Sequence, residues 1–171
     1  MTSTQLPSSE QSDESNGQNP NRDYRLVHQQ MYEADFVEWI DKAAELLKQS
    51  KFSELDIENL VEEVEGLGRS EKNALRGNLR VLLMHLLKWQ YQAHKRSGSW
   101  RGSIREHRIR IQEALSDSPS LKNHYTDSFR GVYQKACQLA TDETELDIST
   151  FPTECLYTPE QVLDSDFLPD G

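Results

Sequence analysis

The feature that most constrains the fold is a long apolar repeat between residues 75 and 93. Its apolar side chains recur at alternating spacings of four and three residues, and they are Leu75, Leu79, Leu82, Leu86, Trp89 and Ala93. Residues three and four apart share one face of a helix, so this spacing is the seam of a bundle helix. A second apolar group on roughly the opposite side consists of Leu83, Met84, Leu87 and Tyr91. The pattern therefore predicts either the central helix of a bundle or a helix that contacts a second copy.

Two more helices are predicted before this repeat. Asp35 can head a capping box, which predicts a helix over 36–49. Ser53 and Gly68 are typical of the start and the left-handed end of a second helix, and Ser70 can then cap the helix of the repeat. The apolar side chains predicted to face inward from the first two helices are Phe36, Ile40, Ala43, Ala44, Leu47, Ile57, Leu60, Val64 and Leu67.

Two longer helices and a strap are predicted after the repeat. Ser99 can cap a fourth helix, and Pro119 suits the first turn of a fifth that runs to about residue 141. The remainder reads as extended chain with one short turn, which the capping box at residues 158–161 opens. The side chains expected to hold this strap against the helices are Phe151, Leu156, Tyr157, Val162 and Phe167.

These signals predict an all-α fold, a compact bundle of about five helices with an irregular C-terminal strap. Residues 1–30 are rich in Ser, Gln, Asn and Asp with few aliphatic side chains, so burial cannot repay the entropy of ordering them. We therefore predict a disordered tail over 1–30 and a single all-helical domain over 31–171.

The composition of the chain restricts its cellular location. No stretch approaches the ~20 apolar residues that cross a bilayer, and the N-terminus lacks an apolar targeting region. Cys137 and Cys155 have no CxxC spacing and no neighbouring histidine cluster, which is typical of plain thiols. We predict a cytoplasmic protein with no membrane partner.

The net charge of −10 conceals a strong partition. Residues 1–68 carry 5 basic and 15 acidic side chains, residues 69–110 carry 11 and 2, and residues 111–171 carry 3 and 12. A basic middle between acidic flanks either faces an acidic partner or is neutralised by the flanking helices. The acidic isoelectric point, about 5.0, favours neutralisation within the molecule.

Three polar residues fall on the inward side of predicted helices, namely Glu63, His85 and Arg108. A buried arginine is costly unless a carboxylate meets it, so the first interpretation is a structural ion pair between Arg108 and Glu63 with His85 nearby. The alternatives are a polar pocket that binds an anionic group and, more weakly, an enzyme or metal site.

A basic rim is predicted around the turn that follows the repeat, formed by Lys88, Lys95, Arg96, Arg101, Arg105 and Arg110. Cations interleaved with Trp89 and Trp100 resemble a nucleic-acid surface of charges and stacking rings. Both tryptophans, however, fall on apolar helix faces, which favours a role as core anchors. The rim then suits phosphate or an acidic protein.

Motifs that would identify an enzyme are missing from the sequence. It contains no glycine-rich phosphate loop, no serine-centred elbow and no Cys/His dyad motif. Carboxylate-bridged metal bundles place a glutamate three residues before a histidine, and here Leu82 precedes His85 at that spacing. We therefore predict no cofactor and no metal, and the balance lies against an enzyme.

The chain resembles one family of small helical proteins, the bacterial domain of unknown function twenty-nine, best populated in photosynthetic bacteria. The resemblance covers about residues 32–169 and rests on the ordered segments EEVEGLGRSE (62–71), HLLKWQYQ (85–92), SWRGSIREHR (99–108), SPSL (118–121) and CLYTPEQVLDSDFLP (155–169). The positions that match the family pattern are Glu62, Glu63, His85, Lys88, Trp89, Trp100, Arg108, Ser120 and Leu121. The family pattern has Cys-Pro before its final tyrosine, whereas Leu156 follows Cys155 here. The resemblance implies a compact helical fold and no established activity.

The sequence thus predicts a non-enzymatic protein-interaction module that binds another protein or a second copy of itself. The alternative is a nucleic-acid or nucleotide-binding protein that uses the basic segment 88–110. A weaker alternative is an enzyme or metal site at Glu63, His85 and Arg108.

Overall fold

The computed structural model describes residues 20–170, and side chains from Asp23 onward. This part of the chain contains no strand, which confirms the all-α prediction. The six α-helices are α1 (Pro20–Ala34), α2 (Phe36–Lys48), α3 (Ile57–Tyr91), α4 (Gly98–Asp117), α5 (Leu121–Thr144) and α6 (Pro159–Leu163). Short 3-10 helices cover Phe52–Glu54, Ala93–Lys95 and Ile148–Thr150. None of the helices in residues 20–170 is long and apolar enough to cross a membrane.

The chain forms two compact units, an N-terminal unit that ends at Val64 and a C-terminal unit that begins at Glu65. The N-terminal unit has a small core, in which Ala43, Leu46 and Leu55 pack together with Leu60 against them. Trp39 on α2 is fully buried. This unit therefore encloses only a few side chains.

A buried histidine ties the elements of the N-terminal unit together. The His28 ring on α1 stacks on Trp39 at 5.6 Å, and its Nε2 lies 3.1 Å from the Trp39 carbonyl oxygen. Its Nδ1 accepts a hydrogen bond from the Asp56 backbone N–H at 3.1 Å. Because Nδ1 is an acceptor, Nε2 carries the ring proton and donates it to Trp39. His28 thus links α1 both to α2 and to the residue that precedes α3.

Helix α1 changes the predicted boundary of the tail. The tail was expected to reach residue 30, but α1 already begins at Pro20, and residues 1–19 lie outside the described residues. The composition of this segment is polar, and the residue that anchors it is itself polar. His28 is buried with both ring nitrogens satisfied, which a count of aliphatic side chains does not detect.

The C-terminal unit has a much larger core, to which α3, α4, α5 and the C-terminal segment all contribute. Most side chains of both apolar groups of the repeat are buried, whereas Tyr91 is half-buried and Ala93 is exposed just beyond the end of α3, so this part of α3 is the central helix of the unit. Its buried apolar side chains are Leu75, Leu79, Leu82, Leu83, Met84, Leu86, Leu87 and Trp89. The prediction of a central helix is confirmed.

The break predicted at Gly68 and Ser70 is wrong, because α3 is continuous from Ile57 to Tyr91. Gly68 does not have the positive φ of a left-handed helix end. A glycine inside a helix costs about 1 kcal/mol relative to alanine, which does not end a helix that continues on both sides. Glycine and serine therefore do not by themselves end a helix.

Other helix ends test the capping signals. Asp35 caps α2 and accepts a hydrogen bond from the Glu38 N–H at 3.0 Å, and Thr158 opens α6 with a complete capping box, as predicted. Helix α4 is capped by Ser97, which accepts from the Trp100 N–H at 3.3 Å, two residues before the predicted Ser99. Three of the predicted caps are thus located to within two positions, whereas Ser53 lies four residues before the start of α3 and Ser70 lies inside that helix.

The C-terminal strap is confirmed. Tyr133 on α5 donates to the Pro152 carbonyl and Tyr125 donates to the Pro159 carbonyl, both at 2.8 Å. Apolar side chains from the strap enter the core of the C-terminal unit, and they are Phe151, Tyr157 and Val162. Leu156, predicted to face inward, is instead 63% exposed. Its two neighbours in the chain, Cys155 and Tyr157, both pack on the core, so Leu156 points outward between them.

Candidate functional site

Arg108 fastens the C-terminal segment to α4. It is 3% exposed, and three of its nitrogens donate to backbone carbonyls. Nε donates to Val162 at 2.9 Å, Nη1 to Ser165 at 3.2 Å and Nη2 to Phe167 at 3.0 Å. Burial lowers the pKa of Arg108, while the nearby carboxylates of Asp164 and Asp166 oppose that shift. These donors are used by the protein itself, so Arg108 is a structural anchor.

His85 lies half-buried on α3 in the C-terminal unit, and its Nδ1 has no hydrogen-bond partner among the described residues. Burial lowers the pKa of His85, and the positive charge of Lys88 lowers it further. Glu143 opposes the shift, and His107 adds to it. His85 is therefore neutral at pH 7.

Lys88, predicted on the basic rim, lies in the interior. It is 6% exposed and forms an ion pair with Glu143 on α5. Its Nζ also lies 4.6 Å from the centre of the Trp100 ring. An aromatic face and a carboxylate together compensate a buried ammonium group. Trp100 packs against the core and Trp89 is buried in it, in agreement with their prediction as core anchors.

Glu63 belongs to the N-terminal unit, whereas His85 and Arg108 belong to the C-terminal unit. The Tyr32 hydroxyl on α1 donates to Glu63 Oε1 at 2.6 Å. This hydrogen bond is the main cause that raises the pKa of Tyr32 to about 12. Each of the three predicted interior residues thus has its own surroundings, a tyrosine hydroxyl for Glu63, the Lys88–Glu143 pair for His85, and backbone carbonyls for Arg108.

The described residues contain no group of three or more His, Cys, Asp or Glu side chains that could hold a metal ion. Burial raises the pKa of the Cys137 thiol, and it raises that of Cys155 to about 11. Both thiols are protonated at neutral pH, and the thiolate is the nucleophilic form. The two cysteines are therefore poor nucleophiles.

Part of the basic rim does assemble in the C-terminal unit. The guanidinium groups of Arg96 and Arg101 lie 5.1 and 5.3 Å from the centre of the Trp89 ring, and Arg96 Nε donates to the Trp89 carbonyl at 2.8 Å. A cavity of about 440 Å³ opens beside them at the start of α4. Lys95 and Arg105 are exposed. Arg110 is also exposed, and its charge is paired with Glu106 at 2.8 Å.

Sequence reasoning missed two exposed apolar stripes of the N-terminal unit. The stripe of α2 consists of Phe36, Ile40 and Leu47, and the stripe of α3 consists of Ile57, Val61 and Val64. Each set falls within about 60° of one helix face, since successive helical residues are ~100° apart. Five of these six side chains were predicted to face the core.

The buried face of α2 explains why the predicted inward side chains of this helix are exposed. It consists of Trp39, Ala43 and Leu46 and lies beside the exposed stripe of the same helix. Apolar residues cover both faces, so periodicity alone does not identify which of them is buried. The large indole of Trp39 is the signal that could have done so, because it fixes the buried face here.

Comparison with known proteins gives a family and no further relative. The family model for the domain of unknown function DUF29 matches residues 31–168, a range that includes most of both units. No curated protein sequence and no solved structure matches the chain significantly. The extent of the family match agrees with the resemblance seen in the sequence, and the chain belongs to the DUF29 family.

Proposed function

We propose that this protein is a non-enzymatic binding module whose N-terminal unit docks a basic, amphipathic helix of another protein. The observation that carries the proposal is the pair of exposed apolar stripes on α2 and α3. Contiguous apolar surface on a folded protein marks interaction sites, and amphipathic helices are recognised through anchors three and four residues apart.

Charge favours a basic partner over a second copy. Residues 20–64 carry 5 basic and 11 acidic side chains. Two of the acidic residues, Glu58 and Glu62, are exposed beside the stripe of α3. Two copies that met through these stripes would bring like charges together, whereas a lysine-rich helix would complement them.

A labelled synthetic helix of leucine and lysine, with leucines three and four residues apart, tests this proposal by fluorescence anisotropy. We expect it to bind the full chain and to bind more weakly as salt is added. The double variant Val61→Gln with Val64→Gln should bind at least about tenfold more weakly, because two apolar anchors are lost. Equal affinity for the wild type and the double variant would contradict the proposal.

Leu156→Gln is the matched control, because Leu156 is 63% exposed and Val64 is 61% exposed. The control removes a similar apolar side chain from the C-terminal unit and should leave the affinity unchanged. Analytical ultracentrifugation tests the competing occupant. A dimer that the double variant dissociates would replace the basic partner by a second copy.

A second candidate function is nucleic-acid binding, favoured by the two arginines over Trp89 and by the exposed Lys95 and Arg105 beside them. Such binding to a single-stranded RNA should weaken steeply with salt and with Arg96→Gln or Arg101→Gln. Arg110→Gln is the control, because Glu106 already pairs with this cation. No binding at low salt would remove this candidate.

A further inference from the structure

A cavity of about 470 Å³ lies between α3 and α5 in the C-terminal unit, and neither the basic rim nor Glu63, His85 or Arg108 lines it. From α3 it is lined by Arg76, Gly77 and Arg80, and from α5 by Gly131 and Lys135. These positions recur at three- and four-residue spacings, so each helix turns one continuous side toward the opening. The volume falls in the range typical of small-molecule sites.

The lining of this cavity carries an excess of positive charge. It contains three cations, Arg76, Arg80 and Lys135, and one carboxylate, that of Asp127. Arg80 and Lys135 have no ion-pair or hydrogen-bond partner among the described residues, and Arg76 donates to the neutral amide of Asn73. The molecule as a whole has a net charge of −10, so these cations are concentrated against its overall sign.

Two glycines keep the cavity open. A Cβ atom built on Gly77 or on Gly131 would meet no atom within 4 Å. Glycine is unfavourable inside a helix compared with nearly every other residue, and close packing does not require it at these two positions. Their lack of side chains leaves room between Arg76 and Arg80 on one side and Lys135 on the other.

We propose that this cavity binds a small phosphorylated compound through its diphosphate or triphosphate group. Arginine forks donate two parallel hydrogen bonds to phosphate oxygens, and lysine adds a point charge. Three cations match a ligand that carries several negative charges better than they match a ligand with a single carboxylate. The cavity belongs to the C-terminal unit, whereas the apolar stripes of the proposed docking surface belong to the N-terminal unit.

Isothermal titration of the full chain with inorganic pyrophosphate and, separately, with adenosine diphosphate tests this site at low ionic strength. We expect saturable binding of one equivalent. If the two probes bind with equal affinity, the cavity recognises the phosphates alone. If adenosine diphosphate binds more tightly than pyrophosphate, the nucleoside contributes to recognition. Absence of binding by both probes overturns the proposal.

Two variants make the test specific to the cavity. Arg80→Gln should weaken binding at least about tenfold, because a charge-assisted pair of hydrogen bonds is lost. Gly131→Leu should abolish binding by filling the cavity while the melting temperature stays equal or rises, because leucine is the better helix former. A purely structural role of these residues would not separate binding from stability in this way.

Lys122→Gln is the control, because Lys122 is an exposed cation on the same helix α5 and does not line the cavity. It should leave the affinity for pyrophosphate within about twofold of the wild type. If Lys122→Gln weakens binding as much as Lys135→Gln, the interaction is a general effect of charge, and the proposal fails.

Discussion

The two units of this protein differ in how many of their apolar side chains they bury. In the C-terminal unit one continuous core contains side chains of the helices and of the extended segment that follows them. In the N-terminal unit the buried cluster is small, and 11 of the 15 exposed large apolar side chains among the described residues belong to it. The comparison shows that the burial of apolar surface is uneven along the chain, since the C-terminal unit encloses most of its large apolar side chains and the N-terminal unit leaves many of them exposed.

The largest effect is expected in the C-terminal core. Leu82→Ala, at a fully buried position of α3, should lower the free energy of unfolding by about 3 to 5 kcal/mol, because it leaves a cavity in a packed interior. Urea denaturation followed by circular dichroism measures the loss. The control Val61→Ala, on the exposed stripe, should change stability by about 0.5 kcal/mol or less. If both variants lose the same free energy of unfolding, the two units do not differ in how they bury these side chains.

Removal of the anchor of the C-terminal segment should have the next largest effect. Arg108→Ala deletes three hydrogen bonds to carbonyls and should cost about 3 kcal/mol, since bonds from charged donors to buried acceptors are strong. Hydrogen exchange should accelerate in residues 159–167 more than elsewhere. Arg108→Lys keeps the charge but not the fork of donors, and should recover only part of the loss. Unchanged exchange in this segment would refute the anchoring role.

In the N-terminal unit the most sensitive residue should be His28. His28→Ala removes two buried hydrogen bonds and the ring stacked on Trp39, so we expect a loss of about 2 kcal/mol. The quenching of tryptophan fluorescence by acrylamide should increase, because Trp39 is fully buried in the wild type. His124→Ala, a half-buried histidine of the C-terminal unit, is the control. If the amide of Asp56 exchanges at the same rate in wild type and His28→Ala, the hydrogen bond that the Asp56 N–H donates to His28 is not stabilising.

The smallest effect should be a dependence on pH in the C-terminal unit. Burial lowers the pKa of His85 and of His107 below their usual value of 6.5, so the folded state binds fewer protons than the unfolded chain near that pH. Stability is then complete above pH 6.5 and falls as the pH drops from there through the lower pKa of the folded state.

Urea denaturation between pH 8 and pH 5 measures this slope. His85→Gln removes one of the two rings whose pKa burial lowers and should make the decline shallower, while His94→Gln, at an exposed position, should leave it unchanged. Stability that rises on acidification in the wild type would contradict the assignment.

The sequence predicts the C-terminal unit better than the N-terminal unit, for a physical reason. The repeat from Leu75 to Trp89 is buried nearly all round, so its periodicity and its burial agree. Apolar residues of α2 cover two faces, and only Trp39, Ala43 and Leu46 are buried. Where apolar residues outnumber the available core, periodicity identifies the helix but not its inward face.

The candidate site residues show the same limit. Periodicity correctly placed Arg108 in the interior, because its position among apolar residues is a local property of α4. Its partners are carbonyls more than 50 residues away in sequence, which no local pattern encodes. Lys88 was assigned to the surface by its charge, although Glu143 and Trp100 compensate it inside the protein. Long-range compensation of polar groups is what the sequence alone does not reveal.

The way Arg108 holds the C-terminal segment has an evolutionary consequence. Its three acceptors are backbone carbonyls, and every amino acid supplies one, so this bond places no demand on the side chains of Ser165 or Phe167. A substitution at Ser165 therefore leaves this attachment intact, whereas the arginine has no equivalent substitute. Across related proteins we expect Arg108 to be retained even where Ser165 varies, while Val162 and Phe167 stay constrained by their packing on the core.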